Sequence, residues 1–171
     1  MRNVLILAAI FLGIGFSGCP LPPPSAPFGT TGSYTGTWEG QDSGTGEDLV
    51  CELDLSLEQD TSLPFPQNFG VTGMALVDLS CTQLGAILEA YDQPVVQEVM
   101  VTGVLGGNGE MLLANGACPP GFCVVLAFGG QGEDNDGDGL MDSYSGEWNF
   151  TVLPPGMEAH IFTGTFSLEA E

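Results

Sequence analysis

The sequence predicts an all-β domain, a single up-and-down antiparallel barrel of about eight strands over residues 32–171. Three observations carry this. Apolar and polar residues alternate with a period of two in run after run. The runs are short and punctuated by turn formers, with 26 Gly and 12 Pro among 171 residues. Only Gln83–Ala90 reads as a short helix. Links of hairpin length favour a barrel, and a two-sheet sandwich is the rival.

The expected strands are Ser33–Glu39, Leu49–Glu58, Gly70–Leu79, Val96–Leu105, Glu110–Ala114, Cys123–Gly129, Ser143–Val152 and Ala159–Glu169. In the second, Cys51, Leu53, Leu55 and Leu57 share one face, while Glu52, Asp54, Ser56 and Glu58 share the other. In the seventh, Trp148, Phe150 and Val152 alternate with Glu147, Asn149 and Thr151; in the eighth, Phe162, Phe166 and Leu168 alternate with Thr163, Thr165 and Ser167. A turn centred near Pro66 links the second and third strands. Gly106-Gly107-Asn108-Gly109 is a hairpin signal, and Leu153-Pro154-Pro155-Gly156 is another turn.

Charge narrows the function classes. Asp and Glu total 22, Lys and Arg together 1, and charged residues make up 13% against roughly 25% in an ordinary chain. The anomaly is missing base. The one Lys or Arg is Arg2. Without cations the domain cannot neutralise phosphates, which excludes nucleic acid as a partner. It also excludes Arg or Lys clamps on phosphorylated substrates. Lysines often guard exposed sheet edges, so a chain that lacks them is safer with its edges closed.

The first residues give an address. Arg2 and the free amine form a small positive region, and Val4–Phe16 is an apolar run of 13 residues. A membrane-spanning helix needs about 20. The run fits a secretory signal helix. It ends in Phe16-Ser17-Gly18-Cys19, followed by Pro20-Leu21-Pro22-Pro23-Pro24. This resembles the bacterial lipoprotein signal, with Phe16 standing where that family usually has Leu. The resemblance implies that residues 1–18 are removed and that Cys19 carries the acyl chains (palmitate-type) on its sulfur and on the new amine. Pro20 is not the Asp that retains such lipoproteins at an inner membrane, so the resemblance implies the outer membrane where there are two. Residues 19–31 then form a lipidated, Pro-rich tether that favours extended polyproline II.

Five cysteines fit an exported chain. With Cys19 lipidated, Cys51, Cys81, Cys118 and Cys123 remain, an even set with three possible connectivities. Antiparallel pairing about Pro66 brings Cys51 opposite Cys81, and Cys118-Pro-Pro-Gly-Phe-Cys123 closes a tight turn. The expected bridges are therefore Cys51–Cys81 and Cys118–Cys123.

Tyr34-Thr35-Gly36-Thr37-Trp38 opens the barrel with a Gly-x-Trp. It resembles the start of calycins, where lipocalins carry Gly-x-Trp and avidin-like barrels a similar Thr-Gly-x-Trp. The resemblance implies a barrel in which Trp38 plugs one end. Lipocalins often pack an Arg over that Trp, and this domain has none, so no ligand residue is carried over. The same features also resemble bacterial envelope lipoproteins.

One segment carries recognisable chemistry. Residues 133–142, Glu-Asp-Asn-Asp-Gly-Asp-Gly-Leu-Met-Asp, contain D-x-D-x-D-G-x-x-D. Alternate carboxylates at Asp134, Asp136 and Asp138 converge on one hard cation, and Gly139 permits the turn that follows. The pattern resembles calcium loops of EF-hands, dockerins and thrombospondin type 3 repeats. The Leu140 carbonyl is the next expected ligand, with Asp142 direct or through water. The bidentate Glu of an EF-hand is absent because Ser145 stands there, and Glu147 is a candidate substitute. A structural calcium ion fixing a long hairpin is the expectation; a solvated acidic turn is the alternative.

His160 is the sole imidazole, and no nucleophile-elbow motif is present. Asn149-Phe150-Thr151 matches a glycosylation acceptor by chance within a strand. The expected function is a non-catalytic, membrane-anchored envelope lipoprotein, a structural or interaction module with a calcium-stabilised loop. The alternative is a calycin-type carrier of a small neutral or apolar ligand, and an envelope protein is the other possible partner. A hydrolase is the remote third class. An open or a filled interior discriminates the first two.

Overall fold

The computed structural model describes residues 25–42, 46, 48–90, 92, 94–115, 123–153 and 159–171. Eight antiparallel strands run in chain order: β1 Gly32–Asp42, β2 Asp48–Glu58, β3 Gly70–Asp78, β4 Val96–Leu105, β5 Glu110–Ala114, β6 Cys123–Glu133, β7 Ser143–Leu153 and β8 His160–Ala170. Each pairs with the next, and β8 pairs back onto β1 from Tyr34↔Ala170 to Asp42↔Phe162, so the sheet closes into a barrel. The helix α1 spans Gln83–Ala90. The two-sheet sandwich is thereby excluded.

The period-two reading holds in detail. In β2 every odd-numbered residue from Leu49 to Leu57 is buried and every even-numbered one exposed. The inward faces meet in one continuous core. Trp38, Phe128, Phe150 and Phe162 have no exposed surface, and Tyr34, Trp148 and Phe166 are nearly as buried. Their rings interlock: Trp38 lies 4.3 Å from Trp148, and Tyr144 and Phe128 meet Phe166 edge-on at 4.6 and 5.2 Å. Trp38 stands mid-strand opposite Cys51 and Phe166. Its buried Nε1 has no hydrogen-bond partner among the described residues.

Two boundaries differ from the sequence reading by more than one residue. β1 runs on to Asp42, paired with Phe162 of β8, and β6 runs on to Glu133, because Gly130 and Gly132 continue the β6–β7 ladder rather than breaking it. Glycine is not confined to turns in this chain. Gly36, Gly73, Gly103, Gly146 and Gly164 lie within strands on the inward face. A Cβ on Gly103 would fall 1.8 Å from the Leu112 carbonyl oxygen, and one on Gly164 would fall 1.9 Å from that of Glu39. Small barrels need strongly coiled strands, and absent side chains let one backbone swing over the next. The same gaps admit the large rings, as in the register pair Trp148↔Gly164.

Cys51 and Cys81 form a disulfide with Cα atoms 5.9 Å apart, joining β2 to the segment between β3 and α1. The expected Cys118–Cys123 bridge, the lipidation residue Cys19 and the turn at residues 154–156 fall outside the described residues. Between β2 and β3 the chain turns through a cis Phe65–Pro66 bond and a single 3₁₀ turn at Gln67–Phe69.

Candidate functional site

The acidic segment connects β6 to β7 at the barrel end where β1 begins and β8 finishes. Asp134, Asp136 and Asp138 each place a carboxylate oxygen within 4.8 Å of the others. Local chemistry explains this. Each Asp folds its carboxylate back onto following backbone N–H groups, as short acidic side chains do in turns. Gly137 and Gly139 donate to Asp134 at 2.7 and 3.0 Å, Asp138 donates to Asp136 at 3.0 Å, and Leu140 donates to Asp138 at 2.8 Å. The chain can wind this tightly because Gly137 and Gly139 both have positive φ, +77° and +88°.

Asp142 has a different part. Its Oδ2 accepts from the amides of Asn135 and Asp136 at 2.6 and 3.2 Å, closing the loop on its own start. Asp142 lies outside the convergent group, which consists of Asp134, Asp136 and Asp138. Glu147 is not a substitute ligand: it projects from the outer face of β7 between Gly129 and Thr165, four residues beyond Ser143. At about 3.3 Å per residue that is roughly 13 Å up the strand. The three convergent carboxylates are oxygen donors of the kind hard divalent cations take.

A second element holds the loop, and it was not legible in the sequence. Residues 28–31 form a strap across this end of the barrel. Gly29 donates to the Gly139 carbonyl and accepts from the Met141 amide, both at 2.8 Å, a parallel bridge around Leu140 that leaves the Leu140 carbonyl out of both bonds. The Phe28 ring lies where side chains on Gly109 and Gly132 would be. On the other side Gln59, just beyond β2, accepts from the Thr30 amide at 2.9 Å, while its own amide donates to Thr31 Oγ1 at 2.9 Å. Gln59 also donates to the Asn68 carbonyl at 2.7 Å, and Tyr34 donates its buried hydroxyl to the Thr30 carbonyl at 2.9 Å. Burial, and then the negative charge of Asp142, push the Tyr34 phenol up to about 12. Burial raises Tyr144 as well, where the hydroxyl donates to the Met111 carbonyl at 3.1 Å. For Gly137, the Asp-Gly pair was a readable signal. For Gly29 none exists, because its partner stands 110 positions away (139 − 29).

At the opposite end His160 Nδ1 lies 3.8 Å from the buried Asp42 carboxylate. Shallow clefts open on the outer wall of the barrel. One of about 600 Å³ is bordered by Leu112, Ala127, Asn149 and Thr163, and one of about 690 Å³ by Val104, Glu110, Leu112 and Gly146.

No protein-family model, curated protein or solved structure matches the chain.

Proposed function

We propose that this chain is a non-catalytic envelope lipoprotein. Its barrel would be a structural or interaction module, anchored through Cys19 and stiffened by calcium in the Asp134–Asp142 loop. The observation that carries the calcium reading is the convergence of the Asp134, Asp136 and Asp138 carboxylates to within 4.8 Å in a loop turned by two left-handed glycines. A cation there offsets the repulsion of three charges and stiffens the connection between β6 and β7, which the backbone of Gly29 already ties to the strap. A closed barrel is also the frame of a small-ligand carrier. The filled aromatic interior weighs for the module, because Trp38, Phe128, Phe150 and Phe162 occupy the space a ligand would take.

Thermal melting at fixed ionic strength tests the metal. Calcium at about ten times its Kd stabilises the native state by RT ln 11, about 1.4 kcal/mol, or a few degrees in Tm. Magnesium does less, because it resists dehydration and demands a tighter octahedron. Asp136→Asn with Asp138→Asn removes the calcium-specific shift and leaves the response to sodium chloride, which only screens surface repulsion. Equal calcium responses from wild type and the double variant would show a charged turn and no metal site. Intact mass of membrane-extracted protein tests the anchor, with acyl groups expected on Cys19 and a mature chain that trypsin cannot cut. A mature N-terminus at another residue removes the lipoprotein reading.

A further inference from the structure

The chain enters the barrel through the strap, and two loops flank that entry. On one side is the β2–β3 connection, held to the strap by Gln59, with Leu63 and Phe65 44% and 52% exposed. On the other is the acidic loop, held by Gly29, with Leu140 52% exposed. Leu63 and Phe65 alternate with Pro64 and Pro66 in an exposed turn. Ser25, where the described chain begins, is six residue steps from Cys19 (25 − 19). Six steps reach at most about 20 Å even when fully extended.

We propose that this end of the barrel rests on the membrane, with Leu63 and Phe65 of the β2–β3 connection entering the boundary between headgroups and acyl chains and the acidic loop staying at headgroup level. The inference rests on the lipid anchor at Cys19. A short tether gives the loops a high local concentration at the bilayer, so weak apolar contacts become effective. The contact must be apolar in kind. With Arg2 in the removed signal, no Lys or Arg remains to hold anionic headgroups, so a neutral, zwitterionic surface is the fitting partner. A second copy fits poorly, because it would set one basic-free acidic surface against another. The consequence is a fixed orientation: the end bearing the Cys51–Cys81 bridge and the outer-wall clefts point away from or along the bilayer, open to other envelope components.

The test uses the full chain, processed in a host that acylates lipoproteins and reconstituted in phosphatidylcholine vesicles with brominated acyl chains. Leu63→Trp and Phe65→Trp report contact; wild type, whose Trp38 and Trp148 are buried, is the background. Val50→Trp is the control, 63% exposed near the far end of β2. Eight residues separate Val50 from Glu58 (58 − 50), roughly 26 Å along the strand and about 20 Å along the barrel axis after tilt. Brominated lipid is expected to quench the L63W and F65W emission about twofold, since interfacial side chains sit about 5–10 Å deep, and to leave V50W unchanged. Acylated, vesicle-bound protein with no quenching at either loop position, or with equal quenching at V50W, overturns the proposal and leaves the anchor standing. An F65W emission that brominated lipid does not quench but that shifts to the blue with rising protein concentration places a second copy on the loops and also overturns it; concentration is the readout because Phe69 of the same chain already packs on position 65. A chain without acyl groups at Cys19 removes the anchor first and this orientation with it.

Discussion

Gly164→Ala adds one carbon atom, and the structure states where it goes. The new Cβ would lie 1.9 Å from the Glu39 carbonyl oxygen, 2.5 Å from Gly40 Cα and 2.8 Å from the Glu39 carbonyl carbon. An ordinary C···O contact is about 3.3 Å, so β1 and β8 must separate by more than an ångström. All three neighbours are backbone, and no rotamer change relieves the clash. In an open sheet the edge could yield, but β1 and β8 are the strands that close this barrel. Their separation stretches the ladder on either side and loosens the contact between Trp38 and Trp148 beneath it. Overpacking in a dense interior costs about 1–3 kcal/mol, and the absence of any soft neighbour argues for the upper end, about 3 kcal/mol. For a domain of this size that lowers Tm by roughly 10 °C. Gly107→Ala is the matched control, since its Cβ meets nothing within 4 Å and its φ is not in the left-handed region. That change is expected to be neutral, or stabilising by a few tenths of a kcal/mol through the unfolded chain. Urea melts of both variants followed by far-ultraviolet circular dichroism give the two values. If Gly164→Ala unfolds at the same denaturant concentration as Gly107→Ala, the view that inward glycines are required for closure is refuted.

Reduction of the Cys51–Cys81 bridge, which closes a 30-residue separation, is expected to cost about 3–4 kcal/mol by the loop-entropy model. Cys51→Ala with Cys81→Ala should match the reduced protein in a urea melt, and a much smaller loss would mean that the unfolded chain gains little freedom. In alkali, Tyr34 keeps its proton until about 12 while an unfolded tyrosine loses it near 10. The native state then holds more protons than the unfolded state, so stability present below pH 10 falls as pH rises toward 12. Tyr34→Phe reduces that slope, leaving the part that the buried Tyr144 supplies, but loses the hydroxyl's bond to Thr30, so it lowers stability at neutral pH by about 1 kcal/mol. Absorbance at 295 nm together with melts from pH 8 to 11.5 checks both effects, and an unchanged slope in the variant would assign the alkaline loss to other groups.

What could be read from the sequence depended on distance along the chain. Strand positions were legible because alternation at Leu53, Leu55 and Leu57 is a property of adjacent residues, and burial follows it directly. The acidic loop was legible for the same reason, since Asp134, Asp136 and Asp138 fold back on amides within five residues. The Cys51–Cys81 pairing was readable because one turn sets the two cysteines side by side.

Hairpin-length links and the missing lysines favoured a closed barrel over a sandwich, and the structure is closed; the seam itself, the glycine contacts and the strap belong to the tertiary structure. Whether β8 meets β1 depends on the coil accumulated over every intervening strand, which no local window contains. Gly36, Gly103 and Gly164 fall inside the strands the alternation predicts, but nothing in a local window marks them as the points where neighbouring backbones cross closely. Glu147 looked near the acidic loop in sequence, yet strand geometry carries it up the outer wall. Gly29 and Gln59 look like ordinary polar linker residues, and only the folded barrel sets one against Gly139 and the other against Thr30. Short-range patterns are written in the order of side chains; long-range contacts arise from the summed geometry of the backbone between them, and that sum is fixed only when the barrel closes.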